Sequence, residues 1–252
     1  MSAWLDAGPN GATPGASPAA TEPAVFEAEI ETVAWIFDEV RAGRALPVIE
    51  AEAVVGSLYL QQRVMDRLRV SVVAHDDIVR YHATHAVNVA MLSMVMAEQL
   101  DFDAASIRRI GLAAVVHDVG MTRVPADVVT RPGQISQQER ELVMAHTIEG
   151  ARIIMAADLS MDLAATVAFE HHLKTDGSGY PRLVYPRAPH YVSRLVQLCD
   201  VFHALSSPRP FRPPWPSEII VSYLNERAGF DFHPGLTGTL TSLITRHLSS
   251  AS

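Results

Sequence analysis

A histidine followed by an aspartate closes the apolar run Ile110-Gly111-Leu112-Ala113-Ala114-Val115-Val116, and this pair, His117-Asp118, constrains the chain more than any other feature. An imidazole and a carboxylate carried into a helical interior are costly unless they find partners there. Partners recur at a nearly regular interval: His85, His146, His171-His172 and Asp200, with gaps of 32, 28, 25 and 28 residues between nearest members. In an antiparallel helical array a helix and its turn take up about that length or less, so side chains one gap apart return to a common level of the bundle interior. Five imidazoles and two carboxylates meeting there offer more ligands than one ion needs. Two divalent ions sharing a carboxylate is the simplest reading, with Asp118 as the bridge and His85, His117, His146, His171, His172 and Asp200 as the remaining ligands.

The chain around these residues reads as helix. Phe26, Ile30, Val33, Phe37 and Val40 recur at helical spacing and stop at Gly43, and a second helix is expected from Pro47 through Val54, Leu58, Val64 and Leu68. Further helices are predicted over 79–100, 104–117, 137–156, 161–172, 189–206, 217–228 and 235–248. Ser136 with Glu139 forms a capping box, and Asp103 and Ser217 are weaker N-cap signals. The stretches 130–133 and 176–189 are rich in turn residues, and no segment alternates with period two. The fold class is therefore all-α. Residues 1–24, with four prolines among Gly, Ala, Ser and Thr, are expected to be a disordered tail. Residues 25–75 form an N-terminal helical accessory segment, and 76–252 the main domain.

Composition removes several function classes. Hydrophobic residues make up 48% and charged residues 19%, and the formal net charge is −8. A surface wrapping duplex nucleic acid or an anionic membrane needs a basic footprint, which this balance excludes. A single cysteine, Cys199, cannot form an internal disulfide and suits a reducing cytoplasm. No apolar run reaches the roughly 18 residues of a membrane-spanning helix, and the N-terminus lacks the basic start and apolar core of a secretory signal. The expectation is a cytoplasmic protein that, unless the helices of 26–75 sense something themselves, receives its regulatory input from a partner or through abundance. Phe26, Trp35, Phe37 and Tyr59 in the accessory helices are expected to mediate self-association, as in a homodimer, or to cover the site.

Several blocks together resemble the HD-GYP family, a subgroup of the HD phosphohydrolases: HAVNVA at 85–90, HDVG at 117–120, VPADVV at 124–129, RPGQIS at 131–136, HTIEG at 146–150, HHLKTDGSGYP at 171–181 and DVFHALSSPRPFR at 200–212. They span about residues 79–235 in order. The resemblance implies an HD-domain helical bundle around a dinuclear centre, and hydrolysis of the bacterial second messenger cyclic di-GMP to linear pGpG or GMP. It implies that His85, His117, Asp118 and Asp200 hold one ion, and His146, His171 and His172, with Asp118 bridging, the other. Iron or manganese is implied, and mixed imidazole and carboxylate ligands agree with either, with none of the thiolates of a structural zinc site. Two cations would activate a shared water and neutralise charge on the phosphate, leaving the protein to position the ester. Arg209 and Arg212 match positions that contact phosphate, a task suited to a planar guanidinium. Tyr180 and Lys174 of the HHLKTDGSGYP block are counted with them as substrate contacts; packing of the loop is the alternative for Tyr180. In relatives the same loop is linked with docking of diguanylate cyclase (GGDEF) domains.

The chain departs from the family pattern at three telling places. Met121 stands where HD-x-G-K has its lysine, so a cation near the scissile phosphate is lost; Arg123 lies two residues on. Tyr81 stands where a glutamate accompanies a third metal, which favours two ions, with His82 as an outside ligand. His203 replaces the second aspartate of the D-x-x-D segment, on nearly the same helix face as Asp200. It reads as a partner of a ligand, as a general acid for the leaving alkoxide alongside Asp118 in catalysis, or as a tolerated substitution. The leading function is thus a cyclic di-GMP phosphodiesterase. The alternatives are a catalytically weak sensor or scaffold signalling through partners, and a hydrolase of another phosphoester.

Overall fold

The structure, a computed structural model, describes residues 26–64, 78–130, 135–185, 187–208 and 213–249. The expected N-terminal tail lies outside them, as do Leu68, Arg209 and Arg212. In chain order the helices are α1 (Glu27–Arg41), α2 (Val48–Val64), α3 (Ile78–Gln99), α4 (Ala104–Val115), a short 3-10 helix (Val119–Arg123), α5 (Ala126–Thr130), α6 (Gln137–Met144), α7 (His146–Ala157), α8 (Asp162–Glu170), α9 (Tyr191–Ser206), α10 (Ser217–Glu226) and α11 (Pro234–Ser249). Among the described residues the only β pairing is two isolated bridges, Leu173 with Gly179 and Ala228 with Phe232. The all-α expectation holds.

Two helices are buried on nearly every face, and they hold the rest together. From Tyr81 to Ala97, α3 exposes almost nothing, its Ala, Val, Met and Leu side chains meeting neighbours all round. A helix that is apolar on all sides belongs in the middle of a bundle. The same is true of α9 from Val192 to Leu205. The two pack against each other, α1 and α4 flank α3, and α8 bridges α4, α7 and α9. The helices read as an accessory segment share this core: Phe26, Ile30, Phe37, Val55 and Leu58 lie in one buried cluster with residues of α3, α4 and α9. Phe26 and Phe37 are therefore internal, which corrects the expectation that they present an apolar surface; Trp35 remains 45% exposed.

The ends of the helices follow their local chemistry. Ser136 accepts from the Glu139 backbone N–H while the Glu139 carboxylate accepts from that of Ser136, so the capping box is complete. Asp103 accepts from the Ala105 and Ser106 backbone N–H groups. Ser217 is not a cap; it is the first residue of α10, behind Pro216. The predicted helix over 137–156 is two helices broken at Ala145. There the His146 ring bonds the Val143 carbonyl and the Thr147 hydroxyl that of Met144, so side chains compete with the helical ladder. The predicted helices to 117 and 172 end early, at Val115 and Glu170, leaving His117-Asp118 and His171-His172 in the turns that follow.

Gly120 carries the tightest constraint. A Cβ there would lie 1.9 Å from the His146 carbonyl oxygen and 2.6 Å from the Gly150 nitrogen, so only glycine lets the 3-10 helix lie against the start of α7. From the other side, a Cβ on Gly150 would meet Gly120 nitrogen at 3.3 Å. Gly120→Ala should thus destabilise the protein by about 1–3 kcal/mol or more, and Gly150→Ala by clearly less. Chemical denaturation of both variants checks the order.

Candidate metal centre

Three of the histidines are aimed by one device. His117 Nδ1 lies 2.7 Å from the Ala114 carbonyl, His146 Nδ1 2.6 Å from that of Val143, and His171 Nδ1 3.0 Å from that of Ala168, each three residues back at the end of a helix. Carbonyls there have run out of helical partners, and an imidazole N–H satisfies them. The bond places the proton on Nδ1 and leaves the Nε2 lone pair pointing inward. All three Nε2 atoms converge on Asp118. Its Oδ1 lies 3.2 Å from His146 and 3.5 Å from His171, and its Oδ2 lies 3.6 Å from His117 and 3.9 Å from His85.

Two groups of ligand atoms result, each with its members within 4.8 Å of one another: Asp118, His146, His171 and His172, and His85, His117 and Asp118. Asp200 joins the second group through His85, its Oδ1 lying 3.1 Å from His85 Nε2. Every side chain in the set is buried except that of Asp118, which is 16% exposed and marks where the site meets solvent.

The donor set fits divalent cations. His117 Nε2 is fully buried and has no hydrogen-bond partner, although its Nδ1 is satisfied. His146 Nε2 and His171 Nε2 lie 3.2 Å apart, both against Asp118 Oδ1. With both Nδ1 protons committed to carbonyls, the two Nε2 atoms and the carboxylate oxygen need a positive charge among them, which a proton on His171 supplies in the metal-free protein and a divalent cation can replace. The C-terminal ends of α4, α6 and α8 add their negative dipole ends to the same place.

The acid–base properties agree. Burial pushes His117 down to about 4 against the pull of Asp118, so it is neutral near pH 7, the form that could ligate a cation. Burial, then the charges of His171 and His146, also holds His172 well below the usual value. Burial opposes charge on His171, but the hydrogen bond to Asp118 and its charge outweigh that and raise it. Burial likewise works against the Asp118 carboxylate, and the surrounding histidines overcome it, holding the group well below the usual carboxylate range.

The other expected site residues fall in different places. Tyr180 is buried with its ring 4.5 Å from that of His172, so it packs on a member of the candidate ligand set. Lys174, expected to touch substrate, makes a 2.8 Å ion pair with Asp231. With Thr175 and Asp176 donating backbone N–H groups to the Asp231 and Phe230 carbonyls, it ties the loop after His172 to the α10–α11 turn. Gly179, at φ +96°, passes so close to the His172 carbonyl that a Cβ would lie 2.2 Å from it. His203 is buried behind His85, away from the solvent side. Tyr81 stacks on His85 with rings 9° from parallel, Met121 is half-buried in the 3-10 helix, and Arg123 is exposed.

Two partners went unread in the sequence. Asn88, one turn after His85, faces His203, and buried Glu170 binds Ser193, the His190 backbone and Arg187. A lone amide in the apolar run of α3, and an acid just before the two histidines, were the available signals.

The sequence model of the HD domain family matches residues 69–234, more than half the chain. The chain belongs to the HD domain family. It is 29% identical over 183 residues to the cyclic di-GMP phosphodiesterase PA4108 of Pseudomonas aeruginosa, covering 73% of this chain and 44% of that one. It is 30% identical over 162 residues to the 3'3'-cGAMP-specific phosphodiesterase 2 of Vibrio cholerae, covering 64% of this chain and 31% of that one. The chain thus spans less than half the length of these relatives. Among solved structures, Bd1817, an HDG"Y"P protein from Bdellovibrio bacteriovorus, superposes with a TM-score of 0.63 at 15% identity, covering 87% of this chain and 70% of that one. The HD-domain fold expected from the sequence is the fold observed. Among the described residues no helix is long and apolar enough to cross a membrane.

Metal binding should release protons. The proton that His171 holds in the metal-free protein must leave before its Nε2 can ligate. Because that pKa is raised, affinity for a divalent ion should climb as pH rises through the His171 titration and fall in acid. Calorimetry in buffers of different ionisation enthalpy measures the released protons; net uptake would contradict this account.

Proposed function

We propose that this chain hydrolyses a cyclic dinucleotide, cyclic di-GMP first among them, with two divalent cations, iron or manganese, held by the seven ligands around Asp118. The observation that carries the reading is the carboxylate of Asp118, whose two oxygens face two separate imidazole groups at the one exposed point of the site. A donor set of imidazole and carboxylate without thiolate suits those metals. Bound there, the pair would supply an activated water and neutralise charge on the phosphodiester.

The chain's own residues do the rest. Asp118 and the five histidines fix where the scissile phosphate sits. Tyr180, whose phenol burial keeps neutral, closes the wall beside His172. Arg209 and Arg212, a few residues beyond the end of α9, are assigned to the phosphate oxygens. The names of the relatives supply a second substrate, 3'3'-cGAMP, which the same phosphodiester chemistry admits. The proposal includes a cytoplasmic setting, docking of a GGDEF-domain partner on the loop after His172, and a homodimer through α1 and α2, where Trp35, Ile49 and Leu60 are exposed.

Anaerobically prepared protein loaded with iron or manganese should convert cyclic di-GMP to a linear product, and Asp118→Ala should not. A protein holding two ions without turnover on either dinucleotide would point to the scaffold reading. Met121→Lys restores a cation beside the centre and should raise turnover; no gain in a fully metallated variant would remove the missing lysine as the limit on rate.

A further inference from the structure

His85 lacks the device that aims the other histidines. It lies inside α3, where backbone carbonyls are engaged in the helical ladder, and its Nδ1 faces another ring: His203 Nδ1, at 2.8 Å. Two ring nitrogens at that distance share one proton, one donating and one accepting. On the far side of His203, Nε2 lies 3.0 Å from the Asn88 amide nitrogen and 3.4 Å from Ser207 Oγ. All four residues are buried.

Two proton arrangements of these partners satisfy the pair with both rings neutral. In the first, His203 Nδ1–H donates to His85 Nδ1, so His85 carries its proton on Nε2 and donates it to Asp200 Oδ1 at 3.1 Å. The Asn88 amide then donates to His203 Nε2, as its nitrogen is placed to do. His85 cannot ligate in this state. In the second, His85 Nδ1–H donates to His203 and the His85 Nε2 lone pair faces the site. The His203 proton then sits on Nε2, donating to the Ser207 hydroxyl or to the Asn88 oxygen once that amide turns over. Both states carry the same number of protons, so the change is one of tautomer.

We propose that His203 is a positioning residue whose tautomer switches His85 between a ligand and a hydrogen-bond donor to Asp200, and so sets whether the His85–His117–Asp118–Asp200 half of the centre takes its ion. The inference rests on reading that half as a metal site. A carboxylate at position 203 accepts only, and would hold His85 permanently in the ligating tautomer. A histidine accepts or donates, so this chain makes the readiness of one metal position depend on a buried ring pair. In the other half the rings of His146 and His171 are held by backbone carbonyls and make no contact with His203.

Metal content and affinity of the full chain, read with zinc or manganese for the unmodified protein, His203→Asp and His203→Phe, test this. The unmodified protein should bind two ions. His203→Asp should bind both at least as tightly, and His203→Phe should keep one while losing about 10- to 100-fold in affinity for the other. Long-range 15N–1H spectra of the unmodified protein supply a reading that does not depend on a variant folding. The proton of His203 should move from Nδ1 to Nε2, and that of His85 from Nε2 to Nδ1, when zinc is added. Two ions held by His203→Phe at unchanged affinity, or a His203 proton still on Nδ1 in the zinc-loaded protein, would overturn the switch alone. An unmodified protein that takes up no ion would overturn the metal-centre reading beneath it.

Discussion

Carbonyl groups at helix C-termini are usually left to water, to a glycine turn or to a basic side chain. Here those of Ala114, Val143 and Ala168 are each bonded by the ring of a histidine three residues further on. That bond ends the helix, fixes which ring nitrogen holds the proton and points the other at Asp118. Helix length and ligand direction are therefore one constraint. Shifting any of these three helix ends by a residue would turn its ring out of the site. The glycines beside them follow from the same requirement, since Gly120 must let the turn after His117-Asp118 lie against the backbone of His146, and Gly179 must pass the carbonyl of His172.

The second half of the site is built on a different principle. α3 and α9 are buried nearly all round, and several of their polar residues are satisfied by each other. His85, Asn88, Asp200, His203 and Ser207 do so across the α3–α9 contact. The apolar remainder of both helices holds them at a fixed distance, and α1 and α2 extend that packing. The centre thus joins ligands anchored to backbone carbonyls, His117, His146 and His171, with His85, anchored to side chains, and Asp118 faces all four.

Much of this was legible in the sequence because ligand chemistry and helical period leave distinct marks. The spacing of His85, His117-Asp118, His146, His171-His172 and Asp200 identified the residues that converge, and the capping box at Ser136 and Glu139 located a helix start. The helix ends were misplaced wherever a ligand took over a carbonyl. His117, His146 and His171 each lay within a predicted helix, because periodicity sees apolar neighbours and not a ring bonding backward. Lys174 was counted as a substrate contact with the rest of the HHLKTDGSGYP block; its partner in the structure, Asp231, is 57 residues away and no local pattern connects them. Phe26 and Phe37 were read as surface because the sequence does not show that α1 lies on α3.

The Lys174–Asp231 pair has a practical side. Lys174 is the only lysine in the chain, and it is spent fastening the loop after His172 to the turn between α10 and α11. Amine-directed chemistry, whether a crosslinker, a fluorophore or attachment to a solid support, therefore finds a single side chain here, and that side chain is a clasp. A reagent that acylates it removes the charge that Asp231 neutralises and loosens the loop against which Tyr180 and His172 pack. Lysine labelling, ordinarily a neutral way to handle a protein, would in this one act on the wall of the metal centre.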